Sequence, residues 1–397
     1  MPAVNDNIVP FPNAARELDS GRRLIPTRLQ EARLAMRWNQ TELADKVGVK
    51  RQSISAYENG SKTPEPGTMA AIAEALQQPI NFFTREELPK FGNVSALFYR
   101  KVGQDTKRRN MACNIYARWL GELAYTFSPL VNYPAVDLPD FEPSSADGRF
   151  SEEEIEEMAE ATREHFGLGL GPISNTVRLL EAKGVIVCRV EVTGEKIEAF
   201  SFWHGDRPFI FLASDKASAV RARFDVAHEL GHLCAHRWVS QEDIEDPASL
   251  KAIEKEADRF AAAFLLPRKS FPNEVYSPRL NAFVDLKRRW KVAIQAMIYR
   301  CKDLGIFDER QVTNLYKEIS RKKWRKNEPL DGPAGIPFEQ PLLLRRVADL
   351  VIEADRMPTD ELKAIMGLSE SWISQLTGLP LDTFERPPEP SASPTLR

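Results

Sequence analysis

The chain has 397 residues, a formal net charge of −3, and is 43% hydrophobic and 28% charged, which describes a globular protein with room for two or three domains, each with its own core. No apolar stretch approaches the length that spans a bilayer, and residues 1–23 lack the continuous apolar core of a secretory signal, so a cytoplasmic protein without membrane contact is expected. Cys113, Cys188, Cys234 and Cys301 are far apart and form no Cys-x-x-Cys pair, so neither a disulfide scaffold nor a thiolate metal site is indicated.

After a disordered start at residues 1–23, residues 24–88 read as a compact helical block. Asn39-Gln40-Thr41-Glu42 has the pattern of a capped helix start, Leu43, Ala44 and Val47 supply an apolar face, and Gly48 ends the helix. A second short helix begins near Lys50, turns Ile54 and Tyr57 inward and closes at Gly60, so helix, glycine turn and helix make a helix-turn-helix. These residues resemble the XRE-type domains of lambdoid phage repressors and Cro, with five helices at 28–36, 40–47, 51–59, 66–76 and 80–83. The resemblance implies binding to a double-stranded DNA operator. By position it gives phosphate contacts to Gln40 and Asn59, major-groove contacts to Arg51, Gln52 and Ser53, and a structural ion pair to Arg33 and Glu58. Gln52 suits adenine and Arg51 suits guanine, while Lys50 departs from the small hydroxyl residue usual at that cap.

Residues 89–150 read as a helical connector followed by a linker rich in proline, with Pro129, Pro134, Pro139 and Pro143. Ser151 and Glu154 then form a capping box that opens a new domain at 151–330. Two helices, 151–165 and 173–182, precede strands at 185–192, 199–203 and 208–213, which are separated by turns at Gly194 and Gly205-Asp206. A helix at about 216–236 follows, and further helices are expected at 286–304 and 309–320. The basic run Arg321 to Lys326 reads as a solvated helix end.

Within the 216–236 helix stands His228-Glu229-Leu230-Gly231-His232. Two histidines four apart are offset by roughly 40° around a helix and about 6 Å along it, so His228 and His232 can share one Zn²⁺. Glu229, beside the first ligand and off the ligand line, is placed to act as general base on a water that the metal activates. A third ligand is expected from the downstream helix Glu254-Lys255-Glu256-Ala257-Asp258, which Pro267 stops. Glu254 with Asp258 four residues on has the spacing of a zincin glutamate ligand and the acid that holds a ligand histidine. Glu256, about 160° around from Glu254, is the alternative. His236 reads as a helix-end group near the site and His204 as a turn residue, while Cys234 reads as a small buried hydrophobe.

Arg223 to His232, the Glu254 to Ala261 segment and the closing Leu265-Leu266-Pro267 together resemble the ImmA/IrrE family of metallopeptidases, and 172–184 and 286–304 resemble its flanking helices. The resemblance implies peptide-bond hydrolysis at zinc, with an XRE-type repressor as substrate. The fold class expected is therefore multidomain: an all-α helix-turn-helix domain, an α+β zincin-like domain, a helical C-terminal region at 331–386 and a disordered tail at 387–397. A DNA-binding regulator that cleaves a repressor or itself is the leading reading, and a homodimer on two half-sites is its expected form. A ligand- or stress-sensing transcription factor with little proteolysis and an antitoxin-like scaffold are the alternatives. Near the C-terminus, Leu362, Gly367, Leu368, Ile373 and Ser374 repeat the spacing of Leu43, Gly48, Val49, Ile54 and Ser55. Glu370 and Ser371 replace the base-reading pair there, so an ordinary helical hairpin is expected.

Overall fold

A computed structural model describes residues 23–86, 104–145, 148–190, 199–213, 218–332 and 334–385. The expected disorder at residues 1–22 and 387–397, the connector before 104, the turn at Gly194 and the helix start at Lys216 lie outside the described residues. The chain forms two compact units, one made of residues 1–89, 107–131 and 347–397, the other of residues 90–106 and 132–346.

The first unit opens with α1 (Pro26–Ala35), α2 (Gln40–Val47), α3 (Arg51–Glu58), α4 (Pro66–Ala75) and α5 (Ile80–Thr84). Asn39 caps α2 through a reciprocal capping box with Glu42, and Gly48, at φ 75°, ends it in the left-handed conformation that a residue with a Cβ resists. Leu29, Leu43, Ile54, Ile72 and Phe83 are fully buried and form the core of these helices. The long helix α6 (Gln104–Phe127) adds Tyr116, Trp119, Leu120 and Phe127, all buried. Trp119 donates its indole N–H to Glu31, and the Tyr116 hydroxyl donates to the Ala35 carbonyl at 2.5 Å.

The second unit is α+β. Ser151 and Glu154 form the capping box that opens α7 (Glu152–His165), and α8 (Thr176–Ala182) is capped by Asn175. Three strands follow, β1 (Ile186–Val190), β2 (Phe200–His204) and β3 (Arg207–Ala213), in the order β1-β3-β2. β3 runs parallel to β1 and antiparallel to β2, with Ser201 opposite Ile210. The strands are buried at almost every position, as in a sheet covered on both faces. Next come α9 (Ala219–Ala235), the short α10 (Gln241–Glu245) and α11 (Pro247–Leu265), then α12 (Leu280–Trp290), α13 (Ile294–Asp303) and α14 (Glu309–Arg321). The helix expected at 286–304 is thus broken. Trp290, Val292 and Ile294 are all buried, and residues two apart point to nearly opposite sides of a helix, so the backbone leaves the helix at Lys291 (φ 54°) to bury all three. Buried Glu328 accepts from the freed Ile294 N–H at 2.8 Å and caps α13.

Residues 132–150, read from sequence as a linker, lie in the second unit. Phe141 N–H donates to the Cys234 carbonyl at 2.9 Å, and Arg207 donates to the Pro134 carbonyl at 2.7 Å. Residues 328–343 are pinned there too: Lys287 meets Glu328 and Asp331 at 2.9 Å, and Glu339 takes hydrogen bonds from Arg223 and from the first N–H groups of α8.

The chain then returns to the first unit from Val347 onward, through the latter part of α15 (Leu343–Glu353), α16 (Thr359–Met366) and α17 (Glu370–Thr377). Gly367 ends α16 in the left-handed region, as Gly48 ends α2. Trp372 packs on Tyr116 and Trp119 with ring centroids 5.0 and 4.9 Å apart, and Ser369 N–H donates to Gln78 at 3.0 Å.

Candidate functional site

α9 is buried on nearly every side, from Ala219 to Ala235, and so runs through the core. α11 buries Leu250, Ile253, Ala257, Phe260 and Phe264 as a helical stripe, with Phe260 and Phe264 packed in the cluster of Val226 and Leu230 of α9 and Leu250 and Ile253 packed with Val239 and Ile244; Asp246 caps it, Pro247 opens its first turn, and it ends before Pro267. Gly231 sets how closely the two helices approach. A Cβ there would lie 3.0 Å from a ring carbon of Phe260 and 3.4 Å from the Cα of Ala257, so a larger residue would push α11 away.

That approach brings His228, His232 and Glu254 together, with one ligand atom from each lying within 4.8 Å of the others. His228 Nε2 and His232 Nε2 are 3.0 Å apart, and each stands 3.4 Å from a different oxygen of Glu254. Both imidazoles are buried, and Glu254 is partly so. Burial pushes the Glu254 carboxyl up, but hydrogen bonding and charge from His228 and His232 outweigh it and hold it well below the usual carboxylate range. Two imidazole nitrogens and a carboxylate converging on one point are a donor set that fits a metal ion.

The surrounding residues orient this set. Asp258, on the next turn after Glu254, meets His228 Nδ1 at 2.8 Å and leaves Nε2 for the cluster. Glu229 is buried and takes a 2.7 Å hydrogen bond at Oε2 from the Ser201 hydroxyl of β2. Glu256 points elsewhere, to His236 Nε2 at 3.0 Å, and His236 Nδ1 stands 2.9 Å from His232 Nδ1. Burial pushes the His236 imidazole down to about 4, so it is neutral at pH 7. His204 lies at the end of β2, its ring 6.3 Å from that of Phe209 and outside the donor cluster. Cys234 is fully buried. Sequence reasoning did not find Ser201, because a serine in an apolar strand carries no signal until the strand is set beside α9.

In the first unit, Arg51 and Gln52 are exposed at the first turn of α3, with Ser53 partly covered behind them. The Arg33 guanidinium pairs with Glu58 at 2.5 and 2.9 Å, and Glu58 also accepts from the Gln40 amide at 2.9 Å. α2 and α3 are therefore locked by a three-residue network. Exposed Asn59 closes α3 and accepts from Ser61 N–H at 2.9 Å.

The fold and these two sites define a helix-turn-helix module joined to a metallopeptidase-like α+β domain. Comparison with known families gives the same division: residues 29–83 match the Helix-turn-helix family and residues 180–302 match the IrrE N-terminal-like domain of the M78 peptidases. The chain thus fuses an XRE-type helix-turn-helix to an ImmA/IrrE-like domain. A solved Mycobacterium tuberculosis transcriptional regulator is similar to 37% of this chain at 20% identity, with a TM-score of 0.29, and the match spans 46% of that regulator's chain. No curated protein matches. Among the described residues no helix is long and apolar enough to cross a membrane.

Proposed function

We propose that this chain is a DNA-bound regulator, acting as a homodimer, whose second unit is a zinc endopeptidase that cleaves an XRE-type repressor, in trans or within itself. The observation that carries the reading is the convergence of His228, His232 and Glu254 beside Glu229, on a chain that also exposes Arg51 and Gln52 at the start of a recognition helix. Donors bonded to a tetrahedral Zn²⁺ at about 2.0–2.1 Å stand about 3.3 Å from one another, and the spacings here are 3.0 and 3.4 Å.

His228 and His232 would hold the ion through Nε2 and Glu254 through its carboxylate, with Asp258 fixing the His228 ring. Zinc bound there supplies a Lewis acid that activates water and polarises the scissile carbonyl. Glu229 takes the proton from the attacking water and passes it to the leaving amine. Ser201 keeps its carboxylate oriented, and the buried surroundings strengthen every charge interaction in the site.

The test is incubation of the purified zinc-loaded chain with the repressor encoded nearest its gene. Cleavage that falls about 10²- to 10⁴-fold in Glu229→Gln, with zinc retained, is expected. Absence of any cleavage, together with operator binding that responds to a small molecule, sinks the peptidase reading and leaves a sensor. Replacing Arg51 or Gln52 by Ala should cost about 1–3 kcal/mol of operator binding and relax one base position each.

A further inference from the structure

His232 is supported from behind by a buried pair that takes no part in the donor cluster. Its Nε2 faces His228 and Glu254, while its Nδ1 lies 2.9 Å from Nδ1 of His236, whose Nε2 in turn meets Glu256 Oε2 at 3.0 Å. His232, His236 and Glu256 are 2%, 1% and 8% exposed, so water does not substitute for any of these contacts. Two ring nitrogens at that distance bond only when one carries the proton and the other offers its lone pair. A carboxylate accepts and cannot donate, so His236 carries its proton on Nε2 and gives it to Glu256. A metal held on His232 Nε2, as in the reading above, leaves that ring's proton on Nδ1, so His236 Nδ1 is the acceptor. His232 must supply the proton from its own Nδ1, and its Nε2 is left as a lone pair aimed at Glu254 and His228. One chain of donors, His232 to His236 to Glu256, satisfies His232 Nδ1, both nitrogens of His236 and the carboxylate, and leaves His232 Nε2 for the donor cluster.

We propose that His236 and Glu256 are positioning residues that fix the tautomer and ring angle of His232, as Asp258 does for His228. The inference rests on the metal-centre reading above and adds to it a second, asymmetric support. Asp258 reaches its histidine directly with a side chain 54% exposed, whereas Glu256 reaches its histidine through a second imidazole in a dry setting. The dry arm is screened less by solvent and salt, so the two ligands are held by unequal means. The Phe150 ring lies edge-on to His236 with centroids 6.3 Å apart, an apolar neighbour of the relay. The arrangement also gives Glu256 a reason to be buried that does not involve coordination.

The test uses the full chain and measures Zn²⁺ affinity by competition with a chromophoric chelator at fixed neutral pH, alongside the visible spectrum of the Co²⁺-loaded protein. His236→Ala should weaken zinc binding about ten- to a hundredfold and shift the Co²⁺ bands. His236→Asn, whose Oδ1 falls near the Nδ1 position and accepts from His232, should restore most of the affinity and the spectrum. Glu256→Gln, which keeps an acceptor but loses the charge, should weaken binding several-fold. Circular dichroism checks each fold, and if the alanine variant does not fold, the Asn and Gln variants carry the test. Parent-like affinity and spectrum in His236→Ala, or in both other variants where it cannot be purified, overturn the relay alone. Loss of all binding in Glu256→Gln, with binding kept in Glu254→Gln, overturns it by making Glu256 a ligand. A parent that binds no zinc overturns the metal-centre reading and the relay with it.

Discussion

Ser201 donates its hydroxyl to the carboxylate of Glu229 across the gap between β2 and α9, and both side chains are buried. A hydrogen bond to a charged group contributes about 1.5–3 kcal/mol, so losing it should let the Glu229 carboxylate rotate away from the water it would activate in the proposed hydrolysis. Ser201→Ala is therefore expected to lower kcat about tenfold while KM and zinc content stay at parent values. An unchanged kcat would show that Glu229 needs no such support. At this scale the pairing of His228 with His232, and of Glu254 with Asp258, was legible because helical periodicity fixes which residues of one helix share a face. The contacts of Ser201 with Glu229 and of His236 with Glu256 were not, because each joins two elements whose relative placement is tertiary. Even the choice between Glu254 and Glu256 turns on the angle at which α11 meets α9, which Gly231 permits and no local pattern states.

Helix ends followed their caps closely, and the breaks that depend on distant partners did not. The Asn39–Glu42 and Ser151–Glu154 boxes start α2 and α7 where the sequence placed them. The break at Lys291 was missed because it is stabilised by Glu328, more than thirty residues away, and by the burial of Val292, which a continuous helix would turn away from Trp290 and Ile294. The α7 box makes a prediction of its own. Hydrogen bonds from Ser144 and then from Ser151 hold the Glu154 carboxyl down to about 2. A carboxyl depressed in the folded state contributes stability that is present above its unfolded value near 4.3 and lost as pH falls through about 2. The parent should therefore lose more thermal stability than Glu154→Gln on going from pH 5 to pH 2, and Ser151→Ala should cost about 1 kcal/mol at neutral pH. Parallel unfolding curves for parent and Glu154→Gln across that window would remove the capping box as a source of acid sensitivity.

The chain begins in one unit, crosses to the other and returns, so residues far apart in sequence complete the helix-turn-helix unit. α16 and α17 repeat the lengths of α2 and α3 and the left-handed glycine between them, yet Trp372 holds the register position of Ser53. Its ring is packed on Tyr116 and Trp119, which directs that face of α17 inward and away from any base edge. This supports the hairpin reading of the repeat and gives it a task, covering the aromatic side of α6. Truncation after residue 346 should then uncover Trp119 and Tyr116 and leave the Arg85 and Gln78 contacts to Met366 and Ser369 unmade. Trp372→Ala is the milder form and should cost about 2–3 kcal/mol, less than a fully buried tryptophan because Trp372 is only partly buried. Both variants should lower the unfolding temperature of the first unit and weaken operator binding while zinc affinity of the second unit stays at its parent value. Loss of zinc binding in Trp372→Ala, with operator binding intact, would show that the returning segment serves the second unit instead.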